Sequence, residues 1–234
     1  MNNKTNLPEL QQLAIAFLYL EPQVNAHLPV FIDHPYFNNR ILVSEEHEFV
    51  DIINQPDEFE KIRERFKQKI LDGNLCTIFG LMLTKYHLTF LKHAKSYMSK
   101  IDFEKHLACA WVSSENPNQD INVPIRTLIS WFSKANKTNL MHSDELKYYN
   151  NLPDKVEIYR GIAVGRAEQE GLSWTCNYDT AKWFAGRFDT DEQKGYILKG
   201  VIKKEDIFAY LNSRDEDEIL CNSKKIINIE RIKR

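Results

Sequence analysis

The run Val156-Glu157-Ile158-Tyr159-Arg160 decides how the rest of the chain is read. Its apolar and polar residues alternate with the period of two that a half-buried strand requires, so it predicts a β-strand. Just before it lies Asn150-Asn151-Leu152-Pro153-Asp154, a turn by composition. Upstream of that turn the apolar spacing is mainly helical, and downstream it is mainly that of strands. Helices first and strands later imply an α+β protein rather than alternating βαβ units.

Working outward, Gly171 to Thr175, Tyr196 to Ile202, Ile207 to Leu211, Glu218 to Cys221 and Ile226 to Ile232 are further strand candidates. Asp179 to Phe188 reads as a helix between them. Towards the N-terminus, Asn6 stands as a cap ahead of Pro8, and Leu10, Leu13, Ala14, Phe17 and Leu18 follow at helical spacing until Pro22. Leu28 to Arg40 reads as irregular. Pro56 opens a second helix, with Gly73 as its left-handed cap. A long apolar helix is predicted from Thr77 to Met98, another capped by Asp102 and carrying Trp111, a third from Pro124 to Ala135, and a short one opened by Ser143. The organisation expected is a helical N-terminal lobe, residues 1–151, packed on a mixed β core, residues 152–234, as one cooperative unit.

Composition bounds the function. Hydrophobic residues make up 43% and charged residues 27%, ordinary for a soluble protein. The net charge of −2 gives no overall field that would favour nucleic acid or an anionic membrane. Leu10 to Leu20 is apolar but too short to cross a bilayer, and it lacks a signal-peptide layout, so a cytoplasmic protein with no membrane partner is expected. Cys76, Cys109, Cys176 and Cys221 lie far apart with no CxxC pair, and read as reduced, buried thiols. His87 and His93 cannot share a helix face, and no metal site is expected. The chain has no GxGxxG, which excludes a Rossmann-type nucleotide site.

Four short motifs carry the chemistry: Tyr159-Arg160-Gly161, Gly171-Leu172-Ser173-Trp174-Thr175, Ala181-Lys182-Trp183-Phe184-Ala185 and Glu216-Asp217-Glu218-Ile219-Leu220. Two glutamates two residues apart in an extended loop point to one side. Ile219 and Leu220 continue directly as a strand, which holds Glu218 at a rigid edge. Each motif alone has a plain account: Arg160 as a strand-end ion pair, Asp215 to Glu218 as a solvated acidic turn.

Taken in order, the motifs resemble the ADP-ribosyltransferase superfamily, in the branch defined by Arg, Ser-x-Thr and Glu-x-Glu. The resemblance covers the chain from Val156 onward, and the helical first part shows no recognised motif. It implies that NAD is the substrate and ADP-ribose donor, and no metal is needed. By resemblance Arg160 contacts the NAD phosphate and ribose, Gly161 lets the backbone approach the carboxamide, Ser173 steadies the catalytic glutamate, and Thr175 supports the site from below. Glu218 stabilises the oxocarbenium-like ribose, and Glu216 orients and deprotonates the acceptor. Arg187 and Phe188, in the loop from Gly186 to Gly195, are candidate cofactor contacts, whereas Trp174, Trp183 and Phe184 read as core.

The function so implied is mono-ADP-ribosylation of a macromolecule, either a protein arginine or a nucleic-acid base, by an intracellular toxin or phage–host conflict effector. An inhibitor or antitoxin is a further partner it suggests, and the N-terminal lobe could close the NAD site, recognise the target or dock that inhibitor. Plain NAD hydrolysis and a non-catalytic interaction module of the same fold are the alternatives.

Overall fold

The structure, a computed structural model, describes residues 3–115, 117, 120, 122–165 and 171–233. The protein is α+β, and it divides into two compact units, one up to Phe103 and one from Glu104. That boundary falls well ahead of the 151/152 position read from the sequence. The change of pattern at Pro153 marks where the strands of the six-stranded sheet begin, not where the second unit begins.

The first unit holds α1 (Leu7–Leu18), two short hairpins, and α2 to α4. Asn6 caps α1 by accepting from the Glu9 amide. The hairpins pair β1 (Gln23–Val24) with β2 (Ile32–Asp33), and β3 (Ile41–Val43) with β4 (Phe49–Asp51). The stretch expected to be irregular therefore contributes a strand. The helix α2 (Pro56–Asp72) ends at Gly73 as expected, but Gly73 is extended (φ −89°, ψ 164°), not left-handed. Glycine is required there for room: a Cβ would lie 2.6 Å from the Thr77 methyl and 2.7 Å from the Lys69 carbonyl.

The single long helix expected from Thr77 to Met98 is broken in two. Asn74 caps α3 (Leu75–Leu81), the chain turns at Met82 (ψ 144°), and α4 (His87–Ala94) starts afresh. Nε2 of His87 hydrogen-bonds the carbonyls of Phe79 (2.9 Å) and Met82 (3.1 Å), which satisfies acceptors that a continuous helix would have used. The next helix, α5 (Lys100–Ser113), is capped by Ser99, whose hydroxyl accepts from the Asp102 amide at 3.1 Å. Asp102 thus sits in the first turn, where a carboxylate favours the helix dipole, and is not the cap.

The second unit contains the rest of α5, then α6 (Ile125–Lys134), α7 (Lys137–Leu140) and α8 (Ser143–Asn151), followed by the sheet. Its strands are β5 (Lys155–Ile162), β6 (Ser173–Thr175), β7 (Tyr196–Lys203), β8 (Ile207–Leu211), β9 (Glu218–Cys221) and β10 (Ile227–Ile232). They lie in the order β10-β7-β5-β6-β9-β8. A mixed core is the expectation, yet every pairing is antiparallel. The link that carries a helix between strands, α9 (Tyr178–Gly186), delivers β7 to the far side of β5. The two strands it joins run the same way but are not neighbours, so no parallel ladder forms.

Asn177 caps α9, its side-chain oxygen accepting from the amides of Asp179 and Thr180. Ala181 and Ala185, one helical turn apart, are buried with Ile197 against Tyr159 and Ile232. The contact is backbone-close: a Cβ on Gly161 would meet the Ala181 carbonyl and lie 2.6 Å from the Ala185 nitrogen. That alanine face leaves Trp183 pointing away, 61% exposed, although the sequence places it in the core. Of the four cysteines Cys221 is buried, while Cys76 and Cys109 are exposed, against expectation. Among the described residues no helix is long and apolar enough to cross a membrane.

Candidate active site

Three neighbouring strands, β5, β6 and β9, bring the sequence motifs together. The register pairs Tyr159 with Thr175, and Thr175 with Glu218. Directly opposed residues share a face, and Ser173 shares it with Thr175 by alternation. Ser173 is therefore a diagonal neighbour of Glu218, and its hydroxyl hydrogen-bonds that carboxylate. From β5, Nη1 of Arg160 donates to the Ser173 carbonyl at 2.9 Å. Gly171 opens the path for this guanidinium, because a Cβ there would coincide with its Nη and Cζ atoms. The motif glycine before Leu172-Ser173 is thus a steric consequence of Arg160.

The loop between β8 and β9 is built on Asp217, the middle residue of the Glu-Asp-Glu motif. Its carboxylate accepts from the Tyr210 hydroxyl at 2.6 Å and from Nδ2 of Asn177 at 3.1 Å. Its amide donates to the Asn212 side chain at 2.8 Å, and the Asn212 amide in turn donates to Glu145 of α8 at 2.7 Å. On β6, Thr175 donates its hydroxyl to the Glu216 carbonyl at 2.8 Å. The loop is not extended as the two-residue spacing suggests: Asp215 (φ 55°) and Asp217 (φ 48°) are both left-handed. With Asp217 tied back by these bonds, Glu216 and Glu218 both line the same cavity.

Glu218 is only 4% exposed. Burial pushes its pKa up, while hydrogen bonds from Ser173 and Trp111 and the charge of Arg214 pull it down. The Trp111 bond, Nε1 to Oε1 at 2.9 Å, comes from α5 in the stretch that carried no recognised motif. Only a general signal could have found it: a buried indole N–H needs an acceptor, and Trp111 is at a core position of a helix. Arg160, also largely enclosed, has its pKa lowered by burial, with the charges of Cys221 and Glu218 opposing. Glu216 is more open and pairs with Arg214, Nη2 to Oε2, at 2.9 Å.

The cavity measures about 180 Å³ and is lined by Tyr159, Arg160, Gly161, Ser173, Trp174, Thr175, Phe184, Glu216 and Glu218. Phe184, read as core, is thus a wall of the site. Trp174 is buried as expected, yet it too borders the cavity, and its Nε1 has no hydrogen-bond partner among the described residues. Arg187 and Phe188 are not among the lining residues. Arg187 lies with Asp179, Lys182 and Trp183 around a separate, larger depression of about 410 Å³, its guanidinium 5.0 Å from the Trp183 ring, and Phe188 is exposed. Gly161 borders the cavity, but its lack of a side chain is already explained by the approach of α9.

No protein-family model, curated protein or solved structure matches the chain. The chemistry therefore has to be argued from the site. A fixed carboxylate in a low-dielectric wall, beside a guanidinium, can stabilise positive charge that develops on a bound ligand. A second, more accessible carboxylate at the mouth can take a proton from an incoming nucleophile.

Proposed function

We propose that the protein is a mono-ADP-ribosyltransferase of the Arg, Ser-x-Thr, Glu-x-Glu type, transferring ADP-ribose from NAD to a macromolecule. The observation that carries this reading is the convergence of Arg160, Ser173, Glu216 and Glu218 on one cavity from three adjacent strands and one loop. Cleaving the nicotinamide–ribose bond develops oxocarbenium character, as in glycoside cleavage, and two carboxylates in different environments suit its two halves. Glu218, buried and hydrogen-bonded, faces the developing cation and holds the ribose. Glu216 accepts the proton of the acceptor. Arg160, with donors left over after its bond to Ser173, binds phosphate or ribose oxygen.

The residues present fit the reacting part of NAD. Pockets for drug-sized ligands measure ~300–1,000 Å³, so a cavity of about 180 Å³ suits the nicotinamide riboside end and leaves the adenosine end outside. The raised pKa of Glu218 fits as well, because a cationic nicotinamide ring beside it offsets the cost of burying the charge. An intracellular role against a cellular target, held in check by an inhibitor, follows from the resemblance.

The test is purified protein with biotinylated NAD and separate protein and RNA fractions from a lysate, wild type beside Glu218→Gln. Wild type is expected to release nicotinamide and label one fraction, which names the acceptor class. Loss of the one charge facing the reacting sugar is expected to lower turnover by ~10²–10³-fold. Equal rates from the two proteins, or no nicotinamide release from either, would remove this function.

A further inference from the structure

Arg214 has its guanidinium already on Glu216, the cavity-lining carboxylate assigned to the acceptor. Its Nη2 is 2.9 Å from Oε2 of Glu216, and its charge also acts on Glu218. The placement is set by the loop: the Asp215 amide returns to the Asn212 carbonyl at 3.0 Å, and Asp215 takes a left-handed conformation (φ 55°), which folds residues 212–215 back beside Glu216. Among the described residues, Arg160 bonds the Ser173 carbonyl and is assigned to the NAD phosphate or ribose, and Arg187 borders a different depression. Arg214 is the guanidinium paired with a carboxylate of the cavity.

We propose that Arg214 is itself a substrate, taking ADP-ribose in cis from NAD held in the same site. The inference rests on the transferase reading and deepens it, since it makes a guanidinium the acceptor group that Glu216 recognises. In the step, a guanidinium nitrogen forms a bond to C1′ of the ribose as the bond from C1′ to nicotinamide breaks. Nicotinamide leaves with that electron pair as a neutral molecule. The proton displaced from the nitrogen passes to Glu216 and then to water, and no oxidant or reductant is involved. An arginine is a poor nucleophile while fully protonated, so a carboxylate within hydrogen-bond reach is the required partner. Holding the two groups in one loop supplies the high effective concentration of an intramolecular reaction. A partly exposed ion pair of this kind is weak, so releasing the side chain to react costs little.

The experiment uses the full chain with NAD and no added acceptor, following nicotinamide release and peptide masses in the same tubes, for wild type, Arg214→Lys and Glu218→Gln. The expected result is one ADP-ribose on Arg214 of wild type, formed at a first-order rate that does not depend on protein concentration. Arg214→Lys is expected to keep releasing nicotinamide while label per nicotinamide falls to the Glu218→Gln background. Nicotinamide release with no label on Arg214, or equal labelling of Arg214→Lys, would overturn the proposal and leave the transferase reading standing. A labelling rate that climbs with protein concentration would overturn the cis step. Absence of nicotinamide release from all three would instead remove the reading on which it rests.

Discussion

The indole nitrogen of Trp111 donates to Oε1 of Glu218 at 2.9 Å, joining the later part of α5 to the buried carboxylate at the start of β9. The bond is enclosed on both sides, Trp111 being 1% and Glu218 4% exposed. A hydrogen bond to an ionised acceptor in such surroundings both orients the carboxylate and favours its charged form.

Trp111→Phe keeps the ring and removes the donor. It is expected to cost about 2 kcal/mol of stability, the scale for leaving a buried charged acceptor short of one partner. Without that donor the Glu218 pKa rises further, so under the proposed function the acid limb of NAD cleavage moves to higher pH. Urea melts and a pH–rate profile check the two effects. An unshifted acid limb would mean that the indole only packs.

The Glu218 pKa is raised by burial, so the folded state holds that proton more tightly than the unfolded chain does. Stability is accordingly lost as pH climbs from the ordinary carboxylate range through the folded-state pKa, and the loss is complete above it. Glu218→Gln lacks this ionisation. Its melting temperature relative to wild type is expected to rise over that window, while wild-type turnover switches on over the same window. Thermal melts and initial rates at matched pH values measure both.

Gly161 and Gly171 separate packing from the proposed catalysis. Gly161→Ala drives a methyl into the backbone of α9 and is expected to destabilise by about 3 kcal/mol. Gly171→Ala meets only the flexible end of Arg160, so the fold should persist within about 1 kcal/mol while the guanidinium is displaced. Its KM for NAD is expected to rise about tenfold, the scale of one charge-assisted contact of ~1.5 kcal/mol. Denaturant midpoints beside steady-state kinetics distinguish the two variants.

Asp217→Asn retains a residue that tolerates the left-handed conformation and alters the acceptor used by Tyr210 and Asn177. The expected result is a modest stability loss of about 1–2 kcal/mol and a fall in turnover of ~10²-fold, because small displacements of a catalytic group are costly. A variant as active as wild type would show that the loop is positioned without this carboxylate.

The strands from Lys155 onward were legible because Val156 to Arg160 alternates apolar and polar residues, while β8 and β9 are short, mainly apolar runs that begin and end where the pattern does. The four motifs were legible for the same reason: each stands at a strand end, in a capped helix or in a turn. Local patterning also made the α+β class readable. It could not place the break at Met82, where helical propensity competes with the hydrogen bonds of His87, nor decide which strands are neighbours. The exposure of Trp183, the location of Arg187 outside the cavity, the Trp111–Glu218 bond and the anchoring of Asp217 were settled only in three dimensions. Sequence carries the periodicity of single elements, whereas these features depend on pairings between residues from 7 to more than 100 positions apart, which hydrogen-bond geometry and close packing select together.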